Sequence, residues 1–552
     1  MAVLLLLLAT LLVAAALIGG VAYSLFGPDV PPVISEETTL ITEPLAADGW
    51  PDYEEWVRRE WSKGVTPEEN GAIPFWSVMG RHWSDGDVRL AELQKELGGP
   101  AEFYRSLSSP RKLSTTLESW LNTNSEVPVA KEAIDAWDDG EQLDALLELA
   151  QRQPWTDDEL PPLADWLNRN ETQLAVLREA AARPKFYPSS PSLLDGRPGE
   201  TAAVLLPAAQ GARDAARALV TSAMNQLAEQ RIDLAWDDVR AATRLAQHVE
   251  NGPFFIDLLI ARAMRNIIND ATLALVAHPG ATASLIDTVV AFRRRHSAPA
   301  SVLDRLLETE RLMTIANAYC VATNHRMRTM REPPLPTRLY GLRVDFTVTL
   351  REIDRTFAAS EPVDGEAFDA SLKRIADVHQ ELAARIAQPV LWIDTVSLSE
   401  RSRWLARQIA HDSAWWQAAD TCARHERWVA NDRLLNAAFE IVAEQQRSGG
   451  WPARPARERP SSYSDQPLRY QRLSDGFLLY DAGPNGGDDG GDFHRKRGLS
   501  NQPSRSGGEV LEDDDPRHAD LSPEADDVAI RFPPPMEPWP WERDDVDTTS
   551  EP

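Results

Sequence analysis

The stretch IDLAWDDVRAATRLAQHVENGPFFIDLLIARAMRNIINDATLALV, residues 232–276, decides the fold. Leu234, Ala235, Trp236, Val239, Ala242, Leu245 and Ala246 recur at helical spacing as far as Val249, and a second helical run extends from Phe254 to Val276. Asn251-Gly252-Pro253 between them is turn chemistry, because Gly adopts backbone angles closed to other residues and Pro cannot continue a helix. Two helices joined by so short a turn, with small residues where they meet, pack as an antiparallel hairpin.

The same period continues outward from this pair. On the N-terminal side lie three more stripes: Leu205, Ala215, Leu219, Ala223 and Leu227; Leu163, Trp166, Leu167, Leu174 and Leu177; and Leu143, Leu146, Leu147 and Ala150. Thr156-Asp157-Asp158-Glu159 and Thr66-Pro67-Glu68-Glu69 both read as capping boxes at helix starts. Trp50, Tyr53, Trp56 and Trp61 mark an amphipathic helix, and Ala72, Phe75, Trp76 and Met79 a buried one that Pro74 interrupts. Strand signals are nearly absent here, so the chain is mainly α, built of packed antiparallel helical hairpins. A solenoid-like stack is the extended form of that packing, although no exact repeat of about 34 residues is visible.

Residues 50–332 therefore read as one helical domain, 333–345 as a break carrying Pro333, Pro334 and Pro336, and 346–449 as a second helical segment. Leu468–Leu473 and Phe477–Tyr480 flank Ser474-Asp475-Gly476, a strong hairpin signal, so 450–492 is read as a linker, a small β-hairpin and a Gly/Asp-rich loop. Val528-Ala529-Ile530 offers a third strand. From Pro484 onward 18 acidic residues stand against 7 basic ones, so residues 493–552 read as a mostly disordered acidic tail.

At the other end, Ala2–Phe26 contains no charge and is long enough to cross a bilayer, which needs about 20 apolar residues. No Lys or Arg occurs before Arg58, so the basic n-region of a secretory signal is missing, and 1–27 reads as an uncleaved transmembrane anchor in contact with lipid through residues 2–26. Ala22-Tyr23-Ser24 supplies the small-x-small pattern that the alternative, a cleaved signal, requires. Pro28, Pro31, Pro32 and Pro44 make 28–49 an extended linker. From Pro28 to Trp56 there are only acidic charges, so nothing holds that side in the cytoplasm; the expected orientation is N-terminus cytoplasmic, bulk extracytoplasmic.

The net charge of −28 excludes nucleic acid as a general partner, since phosphate backbones are held by Lys and Arg. Two cysteines, Cys320 and Cys422, are too few for a disulfide scaffold; each sits in a helical pattern where a buried thiol is ordinary, and in an oxidising envelope they would be able to pair. The 18 Trp residues read as large rings filling gaps between helices rather than as a glycan-binding surface.

Site chemistry concentrates near the C-terminus. Gly483-Pro484-Asn485-Gly486-Gly487-Asp488-Asp489-Gly490-Gly491-Asp492 comes directly after the second hairpin strand, and clustered carboxylates among glycines suit Ca²⁺, which takes six to eight oxygens. Asp488, Asp489, Asp526 and Asp527 are the candidate metal ligands; the competing reading is a solvated acidic loop. Leu468-Arg469-Tyr470, Asp475-Gly476-Phe477 and Leu479-Tyr480-Asp481-Ala482-Gly483 leading into this loop resemble the C-terminal end of type II secretion major pseudopilins. That resemblance implies a calcium-binding loop closed by an acidic pair before a final strand, but here a long polar insertion, about residues 493–522, separates loop and pair. The whole chain further resembles bacterial single-pass envelope proteins with no known activity, through Gly64–Asn70, Arg183–Tyr187 and Leu307–Arg311.

Nothing fixes a reaction. The ten histidines are scattered, and no zinc-protease, paired-cysteine, nucleophile-elbow or phosphate-loop motif occurs. Glu308, Glu310 and Arg311 are the residues an envelope hydrolase with helix-borne carboxylates would use, since acid–base work needs carboxyls in unlike environments; inter-helix ion pairs are the competing reading. Arg293-Arg294-Arg295-His296 is a cationic run suited to a helix C-terminus, and a second basic cluster spans 326–331. The expectation is a non-enzymatic scaffold or interaction protein at the membrane, with envelope protein partners.

Overall fold

A computed structural model describes residues 2–47, 49–79, 146–189, 201–297, 303–323, 342–361, 368–388, 396–413, 417–483 and 527–534, with a few isolated positions between. The 326–331 basic cluster and nearly all of the tail and of the Pro-rich break lie outside the described residues, as do the side chains of Cys320 and Cys422.

The N-terminal helix α1 is Ala2–Phe26, succeeded by the single turn α2 (Glu36–Thr39), α3 (Tyr53–Ser62) and α4 (Ala72–Met79). A run of helices then builds the body: α5 (Pro161–Arg169), α6 (Glu171–Ala182), α7 (Thr201–Ala228), α8 (Ile232–Glu250), α9 (Phe255–Ala277) and α10 (Ala283–Arg295). After them come α11 (Leu303–Thr323), α12 (Phe346–Ser360), α13 (Phe368–Ile386), α14 (Leu398–Asp412) and the long α15 (Gln417–Ser448). Three strands close the chain, β1 (Arg469–Arg472), β2 (Phe477–Asp481) and β3 (Val528–Phe532), in one antiparallel sheet of order β1-β2-β3.

The hairpin at 232–276 forms as α8 and α9, and α7 packs on both. Its turn is fixed from inside. The Asp257 carboxylate accepts the Phe254 N–H at 3.1 Å, and a Cβ on Gly252 would lie 2.4 Å from that same carboxylate, so the position admits only glycine. Asp238 on α8, fully buried, accepts from Arg178 Nε of α6 at 2.5 Å and from Ser222 Oγ of α7 at 2.7 Å, tying three helices at one carboxylate.

Two main hydrophobic cores result, and they do not succeed each other along the chain. The larger unites α4 to α10 with the second half of α15 and with Phe477, Leu479, Val528, Ile530 and Phe532 of the sheet. The smaller joins α3, the first turn of α9 and helices α11 to α14. The Pro-rich break thus separates stretches of chain, not cores, because α15 returns to the first core while α11 belongs to the second. Trp76, Trp155, Trp166 and Trp236 are buried in the larger core, and Trp428 is buried outside both.

Several local expectations need correction. The linker 28–49 is not free-standing: Val30 N–H donates to Val344 O at 2.8 Å, Phe346 N–H to Val30 O at 3.0 Å, and α2 packs on α12. Its prolines keep it extended, and that extended backbone pairs with the start of α12. The Thr66–Glu69 box caps no helix; it makes a turn, with Glu69 N–H on Thr66 O at 3.1 Å, and α4 begins only at Ala72. Thr156 and Glu159 do exchange reciprocal bonds, Thr156 N–H to Glu159 Oε2 at 2.7 Å and Glu159 N–H to Thr156 Oγ1 at 3.3 Å, but they close the turn before α5. Pro74 does not interrupt α4, because it sits in the first turn, where its missing N–H has no partner to lose.

Gly64–Asn70 and Arg183–Tyr187 meet. Asn70 Nδ2 donates to Tyr187 O at 2.9 Å while its Oδ1 accepts from Tyr187 N–H at 2.9 Å and Ala72 N–H at 3.1 Å. Arg183 Nη1 donates to Pro67 O and Asn70 O, each at 3.1 Å. Gly71 passes so near α6 that a Cβ there would stand 2.2 Å from Ala180 O. Asn70→Ala leaves three backbone groups unpaired in a buried joint and is expected to lower stability by about 2–4 kcal/mol in urea unfolding. Asn70→Asp, which keeps both acceptor contacts and loses one donor, is expected to recover part of that loss.

Candidate functional site

The Gly/Asp-rich loop leaves β2 at Asp481, whose carboxylate is buried and accepts from Ser461 Oγ and from Ser462 N–H, the latter at 2.7 Å. Asp527, directly before β3, is fully buried. Its two oxygens accept the Gly483 and Gly491 N–H groups at 3.3 and 2.9 Å, and its carbonyl accepts from Arg427 of α15 at 3.0 Å. Gly490 and Gly491 have φ of +74° and +96°, the left-handed region glycine tolerates, which turns the loop back over Leu478 and Ala529. Asp527 is therefore the bolt that fastens the loop to the sheet and, through Arg427, to the body.

The proposed ligand set is not brought together by the described residues. Asp488 is exposed, forms an ion pair with Arg469 of β1, and accepts the Gly490 N–H at 3.2 Å, whereas Asp527 points both oxygens at backbone donors. Asp489 and Asp526 lie outside the described residues. Among the described residues no group of three or more His, Cys, Asp or Glu side chains is placed to hold a metal. In the described half of the set the carboxylate oxygens serve N–H groups and an arginine.

Nor do the helix-borne acids converge. Glu308 is exposed while Glu310, two residues on, is buried, and Arg311 binds Asp354 through Nε at 3.0 Å and Glu361 at 2.9 Å. Glu310 alone is poised for proton chemistry: its carboxyl has no partner among the described residues, and burial pushes its pKa up to about 7. Other buried acids are engaged. Glu250 pairs with Arg265 at 2.6 Å, Asp432 with Arg293, and Asp270 with Arg152 at 3.5 Å, besides Asp238, Asp257, Asp481 and Asp527 above. Burial still raises Asp238 above the usual carboxylate range, against the pull of Arg178 and Ser222.

The basic run ending α10 is more than a helix-terminal charge. Arg293 is buried against Asp432, and Arg294 pairs with Glu440, both on α15. His425 is buried beside Trp428, His379 and His411 stack at 4.8 Å, and His325 lies outside the described residues. His248, stacked on Phe186, is driven down to about 4 by burial and stays neutral. A cleft of about 570 Å³ beside α15 includes Trp428, Asp432, Arg433, Glu440 and Arg459, but Glu440 is shared by Arg294 and Arg459. A second, of about 450 Å³, holds Glu55 between Arg58 and Arg59. Neither cleft offers a buried, unpaired acid.

Sequence reasoning missed the residues around the exit of α1. Arg401, 2% exposed, donates to Ser24 O and to Arg343 O, the latter at 2.9 Å. Arg343 N–H donates to Leu25 O at 2.7 Å, and its guanidinium lies 4.7 Å over the Tyr23 ring. No local pattern announces them, since they come from more than 300 residues away in sequence.

Asp527→Asn is expected to cost about 1–3 kcal/mol of stability, measured by thermal melting in a chelator, because a buried acceptor is replaced by a donor facing an N–H. A residue that served only calcium would leave the chelated protein unchanged. For Glu310, the folded chain keeps a proton that the unfolded chain, with a carboxyl near 4.5, releases. Stability is then full below about pH 4.5 and falls as pH rises through about 7, by roughly 3 kcal/mol in total. Urea unfolding of Glu310→Gln is expected to lose that slope and to exceed the parent above pH about 8. Comparison of the chain with family models, curated proteins and solved structures finds no match.

Proposed function

We propose that the chain is a single-pass envelope protein, N-terminus cytoplasmic and body on the periplasmic side, that works without catalysis as a scaffold or interaction surface for envelope proteins. The observation that carries this is the state of the buried acids: among the described residues all but Glu310 are held by arginine, hydroxyl or backbone donors. The alternative, a hydrolase using helix-borne carboxylates, needs two carboxyls kept apart in pKa and facing one groove. Among the described residues one such carboxyl, Glu310, stands without a second. α1 supports the placement, being uncharged and long enough to cross a bilayer. The pseudopilin resemblance is carried into the proposal as shared structure only, supported by the three-stranded antiparallel end and its acidic residue before β3.

Protease added to intact spheroplasts is expected to digest the body, whereas protection until lysis would place it in the cytoplasm and overturn the orientation. Affinity capture of the full chain from solubilised envelopes is expected to return the same partners with Glu310→Gln as with the parent. Release of a soluble product from isolated envelope polymer that disappears in Glu310→Gln would replace the scaffold with the hydrolase.

A further inference from the structure

α1 does not end in a free tether. Its last turn, Tyr23 to Phe26, is docked on the body: Ser24 Oγ donates to Val396 O at 2.8 Å, Arg401 reaches Ser24 O, and Arg343 N–H takes Leu25 O. The helix C-terminus carries partial negative charge, and the Arg401 guanidinium meets it at Ser24 O, while Arg343 gives its backbone N–H to Leu25 O. What remains of the helix for lipid, Ala2–Ala22, rises about 31 Å, close to the bilayer hydrocarbon thickness of about 30 Å. The collar of Tyr23, Arg343 and Arg401 therefore stands at headgroup level, where aromatic and basic side chains are expected.

Arg343 is the group with chemistry to spare. It is half-buried and, among the described residues, belongs to no ion pair; its Nε donates to Pro28 O at 2.7 Å, and neither terminal nitrogen has a hydrogen-bond partner there. The nearest acid in the collar, Asp29, gives Oδ1 to the Val344 N–H at 2.8 Å, and Arg401 adds a second cation behind Arg343. The surface around it also suits lipid. Among the described residues outside α1, Val33, Leu45 and Leu234 are the exposed large hydrophobics, and Val33, whose N–H donates to Thr347 Oγ1 at 3.0 Å, lies in the stretch that folds beside the exit of α1.

We propose that this collar is an anionic-phospholipid site in which the free guanidinium face of Arg343 takes a headgroup phosphate while Tyr23 and Val33 rest in the interfacial layer. The inference rests on α1 being a membrane helix. It adds that the body is clamped to the bilayer in one orientation rather than swinging on a spacer, and that the clamp selects its lipid.

The test uses the full chain in nanodiscs of mixed phosphatidylcholine and phosphatidylglycerol, with retained lipid counted by native mass spectrometry. Phosphatidylglycerol is expected to be enriched about fivefold on the parent, the ratio one basic side chain contributes at a membrane surface. Arg343→Gln, which keeps the backbone bond to Leu25, is expected to abolish the enrichment and Arg343→Lys to retain most of it. Arg403→Gln, whose parent residue is paired with Glu400, is expected to leave it unchanged. Equal retention of both lipids by the parent, or enrichment undiminished in Arg343→Gln, overturns the proposal. So does Arg343-dependent binding of inorganic phosphate in discs of phosphatidylcholine alone at the same strength, which would make this a site for free anions. A chain that stays out of the discs altogether fails earlier, on the reading of α1 itself.

Discussion

The body depends on the burial of Arg293. Its guanidinium is out of water and is satisfied on every side: Asp432 on one nitrogen, Asn269 on another at 2.7 Å, Asn436 on Nε at 2.9 Å, with the Phe439 ring 5.6 Å away. A charge in such a place is tolerated only while each partner stays put, and removing one partner of a buried pair costs about 3–5 kcal/mol. Sliding α15 along α10 by one residue would break the contacts to Asp432, Asn436 and Phe439 at once, leaving only Asn269 of α9. The pair therefore sets the register of α15, and the register of α15 places everything after it. Leu434 to Ala443 complete the larger core, and Arg427 on the same helix holds Asp527, which bolts the terminal sheet.

Burial lowers Arg293, Asp432 works against that, and the cation of a second buried pair, Arg265 with Glu250, adds to the lowering. Networks of this kind make a body stiff, because in a low-dielectric interior each bond is strong and each unmade bond is costly. They also consume the groups that catalysis would need. A carboxylate holding an arginine is already hydrogen-bonded to a fixed partner. Among the described residues, Glu310 is the buried acid these networks leave out.

Most of the helices were legible because helical periodicity is local. The alternation that buries Trp236, Val239, Ala242 and Leu245 is written within a few turns, and the same holds for Phe75, Trp76 and Met79. The hairpin at Ser474-Asp475-Gly476 was legible for a similar reason, with Gly476 so close to Phe532 O that a Cβ would stand at 1.8 Å. Partners distant in sequence left no such trace. Arg293 reads as one of three arginines at a helix end, and only the fold shows that it turns inward to a residue 139 positions on. The Gly/Asp loop is ambiguous in sequence for a chemical reason. A carboxylate among glycines has the same composition whether it offers oxygens to a cation or to backbone N–H groups, and Asp527 does the second.

At the exit of α1, near and distant sequence act in turn. On the proposed membrane reading, the segment after the apolar run is acidic as the chain inserts, with no basic residue before Arg58, and the orientation rule counts charges near the helix in sequence. Arg343 and Arg401 reach that same place only when the second helical segment has folded against Val30 and Ser24. Insertion meets an acidic flank, and the finished protein presents a basic collar. The two act at different times, so cations at the mouth of α1 do not argue for a cytoplasmic body. They bear on a later matter, which is how the folded body sits once the anchor is in the bilayer.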